Sequence, residues 1–254
     1  MNNNKNALFC FHGSLIDFLS SKLRKVPLIV SFDSSASIKD IIESCGVPHP
    51  EVDSIAVNNC PVDFAFHPGD NDRIDVYPFS FSSNLPYNLH LQPALPQPLS
   101  FILDVHLGKL ARFLRMMGFD SIYSNNFEDK EIVSIASEKK RIVLTRDIGI
   151  LKYRLVTWGY WVRSTKPFNQ YIELVNRYNL CSQAKPFSIC INCNGVLIPA
   201  EKEILIDRLE PNTKRYYSVF KQCISCGNVY WEGSHMEKMK SVIKTICTNI
   251  KTGV

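Results

Sequence analysis

The sequence predicts an α/β protein with three parts: a small α+β unit, a parallel sheet flanked by helices, and a metal-binding tail. Residues 101–180 alternate short apolar strands with amphipathic helices, which is typical of a parallel sheet covered by helices. A proline-rich stretch precedes this part, and two Cys-x-x-Cys pairs follow it. The expected domains are therefore residues 1–80, a linker at 81–100, residues 101–180, and a tail at 181–254 that ends in a helix.

Residues 1–80 are predicted to place strands around one helix. Ser37 can cap a helix over 38–45, with Asp40 at its third position and Gly46 as its stop. Runs rich in β-branched and aromatic residues predict strands at 7–12, 27–32, 55–57, 62–66 and 73–77.

This order of elements resembles the ubiquitin-like β-grasp of small sulfur-carrier proteins. Those carriers end in an exposed Gly-Gly, whereas the last predicted strand here ends Val76-Tyr77-Pro78-Phe79 and runs on. We therefore expect a binding or docking role for this unit and not sulfur transfer. The linker that follows contains four prolines within 13 residues, which excludes a helix or a central strand and favours a semi-extended chain.

The central part is predicted to alternate strands and helices. Strands are expected at 101–103, 121–123, 142–144 and 161–162, and helices at 106–117 and 129–139. The first of these helices places Leu107, Leu110, Ala111, Leu114 and Met117 on one apolar face.

Three aspartates lie at the ends of predicted strands or at the start of a predicted helix. Asp104 and Asp147 each follow a buried strand, and Asp129 opens the helix before the third strand. Because open α/β sheets place their sites at the carboxyl ends of strands, the three carboxylates can converge at one edge. Such a cluster suits Mg²⁺ or Mn²⁺ and the hydrolysis of phosphodiesters. The alternative is that each aspartate caps the element that follows it.

Basic residues surround this predicted cluster. Lys109, Arg112 and Arg115 lie on the helix after Asp104, and Arg146 stands beside Asp147. Residues 1–100 carry 6 Lys and Arg against 10 Asp and Glu, whereas residues 101–254 carry 23 against 14. The basic part is therefore expected to meet a polyanion, although a solvated basic surface explains the same charges.

Nine cysteines divide into two groups. Cys190, Cys193, Cys223 and Cys226 form two close pairs, which predict a structural zinc site; the 29 residues between the pairs must then hold structure of their own. Gly195 and Gly227 are expected to supply the turning backbone. Buried thiols and a redox pair are the alternatives. The other five are expected to be reduced thiols, and the chain to be cytoplasmic with no membrane-spanning segment.

These motifs together resemble one nuclease family. The run Phe101-Ile102-Leu103-Asp104 through Gly118-Phe119-Asp120 resembles the opening of the Mut-seven C-terminal RNase domain, a PIN-like family. Thr145-Arg146-Asp147 is similar to its second hallmark, and the cysteine pairs with residues 230–235 are similar to its zinc-ribbon tail. The resemblance implies a PIN-like fold and metal-dependent RNA cleavage, with Asp104, Asp129 and Asp147 as the acids. PIN nucleases commonly carry one more acid, for which only Asp120 and Glu128 are available.

Three residues of the tail have open roles. His235 can contact phosphate or act as a general acid, but it can also be structural or a further zinc ligand. Tyr230 and Trp231 can stack on an unpaired base, or they can form the small core beside the zinc.

The leading hypothesis is a cytoplasmic, metal-dependent endoribonuclease whose zinc ribbon helps to hold RNA, with tRNA or another structured RNA among the substrates. The second is a non-catalytic RNA-binding or ribosome-associated module with a degenerate acid site. A third is a toxin in which the acidic β-grasp unit contacts the nuclease domain of the same chain and restrains it.

Overall fold

The computed structural model describes residues 4–21, 24, 27–79 and 90–252, with the backbone alone at 235 and 249–252. The chain forms two compact units. The first combines residues 1–97 with 128–161, and the second combines residues 98–127 with 162–254. Within the described ranges, no helix combines the length and the apolar character needed to cross a membrane.

The first unit begins with a five-stranded mixed sheet and one helix. Its elements are β1 (Asn4–Phe11), β2 (Leu28–Asp33), α1 (Ile38–Ser44), β3 (Val52–Val57), β4 (Cys60–Val62) and β5 (Arg73–Pro78). The strand order is β2-β1-β5-β3-β4, with β1 and β5 parallel and the other pairs antiparallel. The capping box of Ser37 and Asp40 starts α1 as predicted. This arrangement confirms the predicted β-grasp.

One predicted strand of this sheet is misplaced. The sequence predicts a strand over 62–66, whereas β4 begins at Cys60 and ends at Val62. Asn58 and Asn59 both have positive φ angles, 49° and 66°, which give a two-residue hairpin turn that returns the chain at once. Phe64 and Phe66 lie beyond the strand and pack against the core of the sheet.

The central stretch supplies elements to both units. The second unit contains β6 (Ser100–Leu103), α2 (Gly108–Met116) and β7 (Asp120–Tyr123). The first unit contains α3 (Asp129–Glu138), β8 (Ile142–Thr145), α4 (Ile148–Leu151) and β9 (Gly159–Trp161). Strands β6 and β7 are parallel, as are β8 and β9, which agrees with the predicted parallel strands flanked by helices.

Helix α2 buries the predicted apolar face but begins later than predicted. A 3-10 helix covers Val105–Leu107, and α2 starts at Gly108. A Cβ atom at position 108 would lie 2.6 Å from the hydroxyl oxygen of Tyr123, so only glycine allows this tyrosine to lie against the start of the helix. The Tyr123 hydroxyl donates to the carbonyl oxygen of Val105 at 3.0 Å, which fixes the start of the helix to the end of β7.

The stretch that follows β9 adds helices and a three-stranded antiparallel sheet to the second unit. Its elements are α5 (Pro167–Tyr178), α6 (Leu180–Gln183), β10 (Leu197–Ala200), α7 (Lys202–Leu205), a 3-10 helix (Ile206–Arg208), α8 (Pro211–Tyr216), β11 (Phe220–Cys223), β12 (Val229–Trp231) and α9 (Ser234–Thr252). The sheet order is β10-β11-β12. The structure predicted between the two cysteine pairs is therefore present.

A disulfide corrects one expectation from the sequence. Cys181 and Cys247 form a bond across a sequence separation of 66 residues, so the expectation that all five remaining cysteines are reduced is wrong for this pair. The bond joins α6 to α9, a pairing that residue spacing could not reveal. The inference from reduced thiols to a cytoplasmic location loses this support.

Removal of the disulfide is predicted to destabilise the second unit. Cys247→Ala opens a loop of more than 60 residues, and in the chain-entropy account this costs about 4 kcal/mol of unfolding free energy. Urea unfolding without reductant measures this difference in unfolding free energy. Added reductant should lower the unfolding free energy of the wild type and leave that of the variant unchanged. Alkylation of denatured, unreduced wild type at all nine cysteines would contradict the bond.

Candidate functional site

The four cysteines predicted to bind metal form one tight cluster. Their sulfur atoms all lie within 4.8 Å of one another. The Sγ atoms of Cys190 and Cys226 are 3.6 Å apart, and those of Cys193 and Cys223 are 3.3 Å apart. Tetrahedral zinc with Zn–S bonds of about 2.3 Å requires sulfurs about 3.8 Å apart, so the cluster can hold an ion of this kind.

Each pair lies on a tight backbone turn, and Gly227 supplies the turning backbone as predicted, whereas Gly195 does not. The left-handed residue of the second turn is Gly227, with φ of 71°, whereas in the first turn it is Asn194, with φ of 69°. Gly195 is needed for space, because a Cβ there would lie 2.8 Å from Sγ of Cys223 and 2.5 Å from Oγ of Ser225. Glycine at 195 therefore lets the two turns approach each other.

Without a cation, the cysteines of the cluster differ in their pKa values. Burial would raise the pKa of Cys223, but backbone N–H groups of Cys226 and Ser225 outweigh it and lower the pKa to about 6. Burial raises the pKa of Cys193 to about 12. Four thiolates so close together repel one another, and a divalent cation removes that repulsion.

Tyr230 and Trp231 both contribute to small cores of the tail. The hydroxyl of Tyr230 lies 3.1 Å from Sγ of Cys190, and its ring packs against Cys190, Leu197 and Cys223. Trp231 packs against the Leu205, Leu209 and Phe220 cluster. The predicted core role is therefore observed for both residues. Both are also partly exposed, and both line the neighbouring grooves.

Arg115 is a structural residue of the first cysteine turn. Its side chain is buried, 5% exposed, and its guanidinium donates to the carbonyl oxygens of Ser121, Ile191 and Asn192 at 2.9, 3.2 and 2.8 Å. Burial lowers the pKa of this guanidinium. Arg115 therefore joins α2 and β7 to the turn that carries Cys190 and Cys193, with its Nε and Nη1 atoms donating to protein carbonyls.

Asn194 forms a second connection between the same elements. Its side chain accepts from the backbone N–H of Ser121 at 2.8 Å and donates to Oδ1 of Asp120 at 2.6 Å. Asp120 is therefore engaged by the cysteine turn.

The position of Asp120 also separates it from Asp104. Asp120 lies opposite Ser100, at the start of two parallel strands, while Asp104 follows Leu103 at their end. Three residues of strand span about 10 Å. Asp120 and Asp104 therefore stand at opposite ends of the β6–β7 pair, which excludes Asp120 as a fourth acid beside Asp104.

Asp104 lies at the carboxyl end of β6, as predicted. It is 3% exposed and accepts from the backbone N–H of His106 at 2.8 Å. It is thus the N-cap of the 3-10 helix, so the capping role that the sequence left open is present together with the position at the strand end.

Asp129 and Asp147 belong to the first unit. Asp147 follows β8, is exposed, and accepts from the backbone N–H of Gly149 at 2.7 Å. Asp129 is the first residue of α3, and the N-cap position is Glu128, whose side chain makes no capping bond, so Asp129 is not the cap that the alternative interpretation expected. Three residues connect α3 to β8. The chain therefore reverses there, which places Asp129 and Asp147 toward the same end of β8.

Three of the predicted basic residues line a cleft of the second unit. Lys109 and Arg112, which are exposed on α2, and the buried Arg115 line a cavity of about 470 Å³ together with Gly108, Tyr123 and Asn192. A neighbouring groove of about 490 Å³ shares Arg112 and Asn192 and continues to Tyr217, Trp231 and Ser234. Arg146 precedes Asp147 in the first unit. The role predicted for His235 lies outside the described side chains.

Comparisons with known proteins divide the chain at the linker. Residues 99–243, more than half of the 254-residue chain, match the family model described as the Mut7-C RNAse domain. Residues 4–84 match the model described as Mut7-C ubiquitin. No curated protein and no solved structure matches the chain. The two matched families occur in the order that the sequence motifs predicted.

The cysteine cluster is predicted to bind one zinc ion per chain. Cys190→Ser removes a buried ligand and should release the metal and unfold the tail, since structural zinc contributes on the order of 10 kcal/mol. Gly195→Ala should weaken zinc binding with all four ligands intact. Metal content by mass spectrometry and a colorimetric chelator test both, with Cys60→Ser, an exposed free cysteine, as the control. Full zinc retention in Cys190→Ser would contradict the site.

Arg115 and Arg112 are predicted to differ in their effect on stability. Arg115→Leu leaves three carbonyl oxygens without their donor and should lower the unfolding free energy by about 3 kcal/mol and speed zinc release. Arg112→Leu, on the exposed face of the same helix, should stay within about 0.5 kcal/mol of the wild type. Urea unfolding of both variants gives the values, and equal losses would refute the structural role of Arg115.

Proposed function

Because the chain belongs to the Mut7-C RNase domain family, we propose that it is a metal-dependent endoribonuclease that hydrolyses phosphodiester bonds in RNA. One observation carries this proposal. The match to a nuclease-type family spans Asp104, Asp129 and Asp147, both cysteine pairs, and the cleft lined by Lys109 and Arg112. The acids, the basic cleft and the cysteine cluster therefore all lie within the residues of one family match.

The three aspartates are the proposed ligands of the catalytic cation. Mg²⁺ or Mn²⁺ bound by carboxylates supplies an activated water and stabilises the charge on the leaving oxygen. In the protein, the hydrogen bond from the His106 backbone orients Asp104, and the one from Gly149 orients Asp147. The carboxylates of Asp104 and Asp147 are thus oriented before a cation binds, which reduces the reorganisation that cation binding requires.

The proposed RNA path follows the basic cleft. Lys109 and Arg112 are the cations for backbone phosphates, and the adjoining groove leads past Tyr217 and the exposed part of Trp231. Aromatic rings beside a basic cleft favour a strand with unpaired bases. Lys109, Arg112 and Arg146 are the first proposed phosphate contacts. Arg115 lines the same cleft, but its Nε and Nη1 atoms already donate to protein carbonyls. Zinc is the proposed ion of the cysteine cluster, which holds this tail in place.

One observation favours a second candidate function, a non-catalytic RNA-binding or ribosome-associated module. Two residues are available as a fourth acid. The first, Asp120, lies at the opposite end of the β6–β7 pair from Asp104 and binds Asn194. Glu128 is exposed at the N-cap of α3. A three-acid site with weak affinity for a second ion would bind RNA through the same cleft and cut it slowly. A cytoplasmic location is part of either proposal.

Cleavage is predicted to depend on a divalent cation and on the aspartates. Labelled single-stranded and tRNA-like RNAs should be cut with Mn²⁺ or Mg²⁺. Asp147→Asn and Asp104→Asn should lower the rate at least about a hundredfold, because each removes a charge from the ion's ligands, and RNA affinity should stay unchanged. Asparagine keeps the helix cap that each aspartate forms. Gel analysis of products and a filter-binding assay on the same samples measure both quantities.

The outcomes separate the two functions. Cutting that EDTA abolishes and that both variants lose supports the nuclease. RNA binding by the wild type without cutting in either cation moves the proposal to the binding module. Wild-type rates in Asp104→Asn and Asp147→Asn would remove these residues from the mechanism.

A further inference from the structure

The ubiquitin-like part packs on the segment that follows Asp147, and both belong to the first unit. Side chains and backbone meet at several points. Lys152 Nζ donates to the carbonyl oxygen of Glu43 at 2.8 Å. The backbone N–H of Trp161 donates to Oε1 of Glu51 at 2.7 Å. Glu51 is 0% exposed, so this bond is shielded from water and from competing salt.

His49 is the central polar contact between these two segments. Its Nε2 donates to the carbonyl oxygen of Val156 at 3.0 Å, and its Nδ1 lies 2.7 Å from Oε1 of Glu43. The ring is 8% exposed. Burial alone would raise the pKa of Glu43, but the hydrogen bond and charge of His49 outweigh it and lower that pKa. A buried ring with partners on both nitrogens fixes the distance between α1 and residue 156.

The residues on either side of Asp147 are held by this packing. Ile148 packs against the hydrophobic core of the ubiquitin-like sheet. The carbonyl oxygen of Arg146 accepts from Nε1 of Trp161 at 3.2 Å. The Trp161 ring in turn packs against Phe18, with 5.0 Å between ring centroids and a tilt of 44° between the ring planes. Two separate chains of contacts therefore run from the β-grasp core to the two neighbours of Asp147.

We propose that the ubiquitin-like domain positions Asp147 for the reaction, by holding residues 146–161 through His49, Trp161 and Ile148. The proposal rests on the proposed nuclease function for its catalytic consequence. Helix α4 has four residues, too few to be stable alone, and the ubiquitin-like core supplies the apolar surface on which it forms. The domain is thus an integral support of the site, and its loosening lowers the rate of cleavage.

Point variants of the full chain test this role. His49→Leu keeps a buried side chain of similar size but removes both hydrogen bonds. His12→Leu is the matched control in the same sheet, because His12 bonds Asp75 at 2.8 Å and stacks on Tyr77. Trp161→Phe is a second test that keeps an aromatic ring and removes the bond to Arg146. Hydrogen exchange of backbone amides at 146–158, measured without RNA, reports directly how firmly the ubiquitin-like domain holds this segment.

The expected result combines exchange with kinetics. His49→Leu and Trp161→Phe should raise exchange at 146–158 about tenfold or more, with β1 and β5 unchanged. They should lower kcat by about tenfold to a hundredfold with KM nearly constant, since a displaced ligand impairs chemistry more than RNA binding. His12→Leu should match the wild type in both.

Each other outcome is decisive. Unchanged exchange at 146–158 in both His49→Leu and Trp161→Phe overturns the holding role, whatever the activity. Raised exchange with wild-type kcat overturns the positioning of Asp147. Raised exchange in a protein whose wild type cuts no RNA overturns the nuclease function and supports the holding role. Failure of His49→Leu to fold leaves the decision to Trp161→Phe.

Discussion

The attachment of the first cysteine turn to α2 and β7 is the constraint on which the second unit depends. Arg115 donates to Ile191 and Asn192, and Asn194 bonds both Ser121 and Asp120. A bound ion would link this turn to the second pair, 30 residues further along. The cysteine-bearing tail is therefore fastened to the parallel strands by geometrically specific bonds, and its loss would leave the Arg115 guanidinium with one of its three carbonyl partners, Ser121.

The first unit follows the same principle with other chemistry. Its share of the nuclease family domain is one helix, two short strands and a four-residue helix, which bury too little apolar surface to be stable alone. The core of the β-grasp sheet supplies the missing apolar surface through its contacts with Ile148 and Trp161. Both units thus join small pieces of the nuclease domain to a neighbouring module, and in each a buried cationic or polar side chain fixes the junction.

The sequence predicted what depends on local pattern. The apolar face of α2, the capping box at Ser37 and the cysteine spacing are set by neighbours in sequence, and all are present. Arg115 shows the limit of such prediction. Its spacing from Arg112 suggests a common polar face, yet two of its three carbonyl partners lie 76 and 77 residues away. The disulfide and the bond from His49 to Val156 are equally non-local. One signal was available: Asp120 precedes a strand whereas Asp104 follows one, which already places them at opposite ends of a parallel pair.

The excess of Asp and Glu in residues 1–100 has a structural role that the net charge does not reveal. Asp75 binds His12 and Arg73, Asp53 binds His90, and Glu51 accepts from the Trp161 backbone. All three carboxylates are buried. Asp72 and Asp33 accept from nearby loops and turns. The buried carboxylates stabilise the β-grasp fold, and Glu51 also stabilises its packing on residues 146–161. Because Glu51 acts inside the first unit, this part of the acidic excess favours support of the site over electrostatic restraint.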